Sequence, residues 1–261
     1  MREIICDELE IKKFHADILP QLEDNEVHFV SLSARNKQLD VEERKKYSLG
    51  RTEMFERKLI RNNDWERFIR TIRKFQTDEM AYTTKTNLSI PDKCVICYIN
   101  VNPTDAIQAT INFIQESMNN IMLGYKGGSD SDFWVRADLK LMKHMQNTRS
   151  RKCWIDIDFD LPHEFDVPLT YFVNECIIHH ITYCIIETKG GWHVMISRAS
   201  LKNAKWNYTD GLKMANTLAE SVKSKWEIVT NKSEMVPLPG TWQAGFPVRI
   251  VEYKYFEGDK Q

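Results

Sequence analysis

Glycine and proline are scarce in this chain of 261 residues: 10 and 8, respectively. No long flexible linker is therefore expected between separate domains. No run of about 18 apolar residues occurs, which excludes an obvious membrane-spanning helix. Neither net charge nor sequence repetition stands out. Lys plus Arg is 36, Asp plus Glu is 37, and the net charge is -1. A uniformly basic nucleic-acid coat protein is thereby excluded, although local basic patches are not. The start, MREIICDELEIKKF, has charges on both sides of a very short apolar run and does not read as a secretory signal. Six cysteines in a chain this long are expected as free thiols in a reducing, cytoplasmic setting.

What is present reads as an alternating α/β chain, or α+β in a looser classification. Val27 to Leu32 is a buried strand by its apolar run. Asp40 with Glu43 forms a capping box for a helix ending near Gly50, and Asn63 with Glu66 forms a second box. Strands are expected at Met80–Thr84 and Val95–Asn100. A helix capped by Thr104 or Asp105 runs to Gly124, and the segment YKGGSDS is a loop. A short helix over Asp138–Met145 leads to the basic stretch KHMQNTRSRK. Further elements follow: a strand at Cys153–Phe159, a helix over Pro168–His180, strands at Tyr183–Glu187 and His193–Ser197, a helix near Asp210–Lys225, a strand at Glu227–Thr230, and a last strand at Val248–Tyr253.

The segment WIDIDFD carries the strongest chemical signal. Alternation in a strand puts Asp156, Asp158 and Asp160 on one face and Ile155, Ile157 and Phe159 on the other. Three same-face carboxylates repel one another unless a cation lies between them. An oxygen donor set suits Mg²⁺ or Mn²⁺, the ions that organise phosphoryl transfer. The segment Thr188-Lys189-Gly190-Gly191-Trp192-His193 is a tight turn entering a strand. Two glycines let backbone N–H groups approach a phosphate, Lys189 adds charge, and His193 can donate to a triphosphate oxygen.

Together WIDIDFD and ETKGGWHVMI resemble motifs one and two of the archaeo-eukaryotic primase superfamily, which includes the primase-polymerases. The closing VPLPGTWQAGFPVRIV resembles the PGT segment of members encoded by viruses and plasmids. The resemblance covers roughly residues 150–253. It implies one catalytic domain, with an N-terminal α/β half (1–140) packed on an RRM-like mixed sheet (141–261) and the active site between them. It implies DNA-templated nucleotidyl transfer, as a primase or DNA polymerase in replication of a mobile element or virus. Asp156 and Asp158 would be catalytic metal ligands, with Asp160 able to substitute for one of them. His193 would hold the triphosphate, with Lys189, Gly190 and Gly191 of the turn beside it; Arg249, on the strand after PGT, could reach phosphate or simply sit on an exposed sheet face. Family members carry a third acid on a short strand before PGT; here Asn231, Glu234 and Glu227 all remain candidates. The expected partners are single-stranded DNA and nucleoside triphosphates, and no membrane. The chain contains no GxxxxGK[ST] helicase loop, so unwinding is expected from a helicase partner or an accessory module elsewhere. A weakly catalytic nucleotide- and single-strand-binding module, or a metal-dependent nuclease, are the alternatives.

Other constellations are weaker. Cys94-Val95-Ile96-Cys97 has zinc or redox spacing, but in a strand its cysteines point to opposite sides and read as core. Cys176, His179, His180 and Cys184 have zinc-like spacing only if a helix end and a strand converge. Lys143, Arg149, Arg151 and Lys152 read equally as a template-phosphate patch or a solvated loop. Arg35, Lys37 and Arg51 could line a groove.

Overall fold

The computed structural model describes residues 2–50, 52–78, 81–84, 87–125, 131–220 and 227–256. Among them the chain forms nine α-helices and two antiparallel sheets.

The second sheet carries the aspartates. It contains β5 (Trp154–Asp160), β6 (Tyr183–Thr188), β7 (Gly191–Ser197), β8 (Glu227–Thr230) and β12 (Arg249–Lys254), in the order β12-β6-β7-β5-β8. Helix α7 (Val167–Ile178) joins β5 to β6; α8 (Arg198–Ala204) and α9 (Tyr208–Glu220) lie between β7 and β8. The β6-β7-β5-β8 core is thus a split βαββαβ unit. Every pairing in it is antiparallel, so the expected mixed sheet is corrected. The reason is topological. β5 and β6, joined by the α7 crossover, run the same way, but β7 folds back by a tight hairpin and inserts between them.

Alternation divides this sheet into two faces. Ile155, Ile157, Phe159, Ile185, Val194, Ile196 and Ile228 pack with Leu169, Phe172, Val173 and Ala215 of α7 and α9. Trp154, Cys184, Ile186 and Met195 point the other way and join the core of the first sheet. The aspartates share that second face. One apolar and one mixed face on a single seven-residue strand explain why β5 can carry three acids.

The first sheet is built on β1 (Glu26–Arg35), paired with β2 (Thr52–Ile60), β3 (Val95–Asn100) and the two-residue β4 (Thr104–Asp105). Its other strands are late in the chain: β9 (Met235–Pro237), β10 (Trp242–Gln243) and β11 (Phe246–Pro247). The VPLPGTW segment, despite its two prolines and glycine, therefore crosses back and extends the N-terminal sheet. The two halves are interleaved rather than divided at residue 140. Helices α1 (Glu8–Asp17) and α3 (Trp65–Arg73) cover this sheet through Ile11, Phe14, Phe68, Ile69 and Ile72.

The remaining helices are α2 (Val41–Tyr47), α4 (Ala106–Tyr125), α5 (Ser131–Val135) and α6 (Ala137–Asn147). The Asp40–Glu43 capping box forms, and α2 closes at Ser48 in the left-handed region. Asp64, not Asn63, caps α3, because its carboxylate accepts from Arg67 N. Asp105 caps α4 by accepting from Gln108 N at 2.8 Å. Residues 81–84 form no strand, and the rest of the expected Met80–Thr84 strand, like the loop 126–130, lies outside the described residues. Among the described residues, no helix is long and apolar enough to cross a membrane.

Candidate functional site

A cavity of about 320 Å³ opens between the two sheets. One wall is β5 and β7 with Asp158 and His193; the other is Ser31, Ser33 and Arg35 of β1, Thr52 and Met54 of β2, and Tyr98 of β3. Asn231, Ser233 and Met235 close one side as the chain leaves β8 for β9.

Asp156 is the buried centre of the polar wall, with a side chain that has no exposed surface. His193 Nδ1 lies 3.0 and 3.1 Å from its two oxygens. Asn231 Nδ2 donates to Asp156 Oδ2 at 2.7 Å, and Asn231 N donates to the Asp156 carbonyl at 2.8 Å. His193 is opposite Asp158 in the β5–β7 register, and its Nε2 is 3.8 Å from Asp158 Oδ1. The imidazole therefore sits between the two carboxylates. Burial disfavours its charged form, and Arg35 opposes it weakly. The Asp156 charge and hydrogen bond, with Asp158, outweigh both and raise its pKa to about 9. At neutral pH the cation between the first two aspartates is the imidazolium itself.

Asp158 is the accessible member, with a side chain 42% exposed. Asp160 is on the same face but at the cleft's edge, where Lys37 Nζ lies 3.8 Å from it. Each aspartate thus has a cationic neighbour from the protein, which resolves the repulsion expected from the sequence. Arg35 lines the facing wall and donates to the Tyr98 hydroxyl at 3.2 Å. The groove-lining expectation holds for Arg35, and Lys37 stands at the rim; Arg51 lies outside the described residues.

The two turn glycines differ. A Cβ on Gly191 would lie 2.0 Å from Phe159 O and 2.9 Å from Leu161 N and O, and its φ is +141°. Gly191 is required for the strand start to lie against β5. A Cβ on Gly190 would meet only side-chain ends, Asp160 Oδ1 at 3.1 Å and Lys37 Nζ at 3.6 Å. Gly190 is thus the glycine that borders the acidic and basic groups of the site. Lys189 is turned aside: its N donates to Gln243 Oε1 at 2.7 Å and its Nζ to Ala244 O at 3.0 Å.

Several expected site residues are elsewhere. Arg249 pairs with Glu187, its cross-strand neighbour, on the face away from Asp156. Glu234 is buried under Arg149 and Lys152 and accepts from Asn102 Nδ2 at 2.8 Å. Its carboxylate anchors the basic stretch and does not join the aspartates. Glu227 is exposed at the far end of β8, opposite Asp160. Of the three candidates for the missing acid, only Asn231 reaches Asp156. Its Oδ1 accepts from Ser233 N and Oγ, so it presents an amide N–H₂ rather than an oxygen to the site. Three residues of the basic patch are matched internally: Arg151 clamps the buried Glu26 at 2.9 and 3.1 Å, and Arg149 and Lys152 face Glu234; Lys143 is exposed on α6.

The zinc-like constellations do not converge. Cys176 lies in the helix-side core and Cys184 in the opposite one, while His179 stacks on Trp206 and His180 meets Phe256. Cys94 precedes the strand on a short 3-10 turn, so it shares one core with Cys97 rather than facing away. All six cysteines are free.

Sequence reading missed Ser31, Ser33 and Tyr98. The alternation of Ser31 and Ser33 with Val30, Leu32 and Ala34 was the available signal. Ser31 Oγ is buried without a hydrogen-bond partner, a polar atom on the cleft wall.

Asp156 and Asp158 are hard oxygen donors of the type Mg²⁺ or Mn²⁺ takes, but only Asp158 opens on the cleft, and both Asp156 oxygens are engaged by His193 and Asn231. A three-acid site is not present: among the described residues, no three His, Cys, Asp or Glu side chains form a metal-holding group. No protein-family model, curated protein or solved structure matches the chain.

Proposed function

We propose that this chain is a nucleotidyl transferase of the primase-polymerase type, extending or starting a strand on single-stranded DNA. The observation that carries the reading is the cleft itself: Asp158 and His193 on one wall, with Asp156 buried behind His193, and Arg35 and Tyr98 on the other. Asp158 and Asp156 would hold a divalent cation, which when bound would acidify the primer 3′-hydroxyl and neutralise pyrophosphate charge.

The protein's own groups supply binding and orientation. His193 is held by Asp156 through Nδ1, leaving Nε2–H to donate to a phosphate oxygen entering beside Asp158. Arg35 and Lys37 add positive charge on the facing wall and at the rim. Tyr98 offers an aromatic face for a base, and Ser31 Oγ an unpaired hydroxyl for a sugar or base edge.

A second reading is a binding module that takes up nucleotide and single-stranded DNA but transfers poorly. Asn231 favours it, because a neutral amide stands where an acid would complete the cation site. Template-directed extension of a labelled primer with Mn²⁺ supports the first reading. Nucleotide binding without extension supports the second.

A further inference from the structure

We infer that α4 is a self-association surface that pairs two copies of this chain through an antiparallel coiled coil. This rests on α4 alone and is independent of the cleft chemistry. Helix α4 is 20 residues long, about 30 Å. Its apolar face is turned outward. Ile107, Ile111, Ile114, Met118, Ile121 and Tyr125 are 60%, 41%, 50%, 60%, 48% and 91% exposed.

These six are spaced by four, three, four, three and four residues, the a/d repeat of a coiled-coil seam. The opposite face attaches the helix to the body. There Ala109 is fully buried, Phe113 stacks on Phe133, and Glu116 pairs with His144 at 2.6 Å and with Lys140 at 3.5 Å. Among the described residues, the body thus lies behind the seam.

Three observations select a second copy as the occupant. First, the positions flanking the seam are Gln108, Thr110, Gln115, Ser117, Met122 and Gly124, all uncharged. An identical helix therefore meets no like charge, and the helix has no Lys or Arg with which to grip a lipid surface. Second, an antiparallel two-fold pairing matches every seam residue: Ile107 with the partner's Tyr125, Ile111 with the partner's Ile121, and Ile114 with the partner's Met118. Each layer then joins an a to a d position, and the contact is isologous and closed. Third, the seam with Met122 exposes on the order of 800 Å² per copy, about what one side of a stable interface contributes.

The test is sedimentation equilibrium on the full chain from about 1 to 100 μM. Wild type is expected at the mass of two copies. Ile114→Glu with Met118→Glu, both at exposed positions, is expected at one copy, with self-association weakened more than about tenfold and an unchanged circular dichroism spectrum. Val167→Glu, on the exposed side of α7, is expected to pair like wild type. Mild oxidation with diamide should cross-link the Ile111→Cys, Ile121→Cys double variant into dimers and leave Ile111→Cys alone uncross-linked. A single-copy mass for wild type, a double-Glu variant that still pairs, or cross-linking by Ile111→Cys alone overturns the inference.

Discussion

Replacing Gly191 with alanine should unfold the candidate site, whereas the same change at Gly190 should not. At Gly191 the new Cβ would lie 2.0 Å from one backbone carbonyl and 2.9 Å from two more backbone atoms, none of which can rotate away. A φ of +141° adds strain of about 1–3 kcal/mol for an L-residue. Relief requires β7 to peel from β5 near Trp192 and Phe159, losing one or two ladder hydrogen bonds at about 1 kcal/mol each. The total is about 2–5 kcal/mol, a large part of the ~5–15 kcal/mol typical of a domain. At Gly190 the nearest atoms are the ends of exposed side chains, and the change should cost no more than about 0.5 kcal/mol. Urea unfolding followed by tryptophan fluorescence, in metal-free buffer, measures both. Equal stability of Gly191→Ala and wild type, or equal losses at the two glycines, would refute the reasoning. The folded Gly190→Ala protein then reports on ligand binding alone, since its methyl intrudes only on the Asp160–Lys37 corner.

Three further outcomes follow from the same geometry. His193 should titrate near 9 by NMR in metal-free buffer; its folded pKa is raised, so its contribution is full below about 6.5 and disappears as pH rises through 9, and Asp156→Asn should lose about 2–3 kcal/mol at pH 7 but little at pH 10. A His193 that titrates at its ordinary value contradicts this. Asn231→Asp should destabilise the metal-free protein by about 1–3 kcal/mol through carboxylate repulsion at Asp156, and Mn²⁺, followed by calorimetry, should bind it more tightly than wild type. Glu234→Gln should cost about 1–3 kcal/mol by leaving Arg149 and Lys152 unmatched, yet leave Mn²⁺ binding unchanged; weaker Mn²⁺ binding would return Glu234 to the site.

The legible parts of the sequence were those where a local pattern had one physical solution. Asp-x-Asp-x-Asp with Ile155 before it and Ile157 and Phe159 between its acids allows only a strand with one acidic and one apolar face, and β5 has that form. The Gly-Gly turn specified the β6–β7 hairpin, and Val95–Asn100 and Glu227–Thr230 are strands at the expected bounds. What failed depended on distant partners. PLPGTWQAG contains turn residues, yet its short strands exist because β3 offers an open edge. Glu234 looked like a spare acid because nothing nearby shows that Arg149 and Lys152 would reach it. The sequence leaves two faces open for Arg249, and the exposed one is selected by its pairing with Glu187. The β1 serines alternate legibly, but only the approach of the second sheet makes them a cleft wall.

The most direct measurement is extension of a labelled primer on single-stranded DNA with Mn²⁺ and all nucleotides, comparing wild type with the folded Asp156→Ala, Asp158→Ala double variant. The account predicts template-directed products from wild type and none from the variant. No product from a wild-type protein that binds nucleotide, or equal product from both, would contradict it.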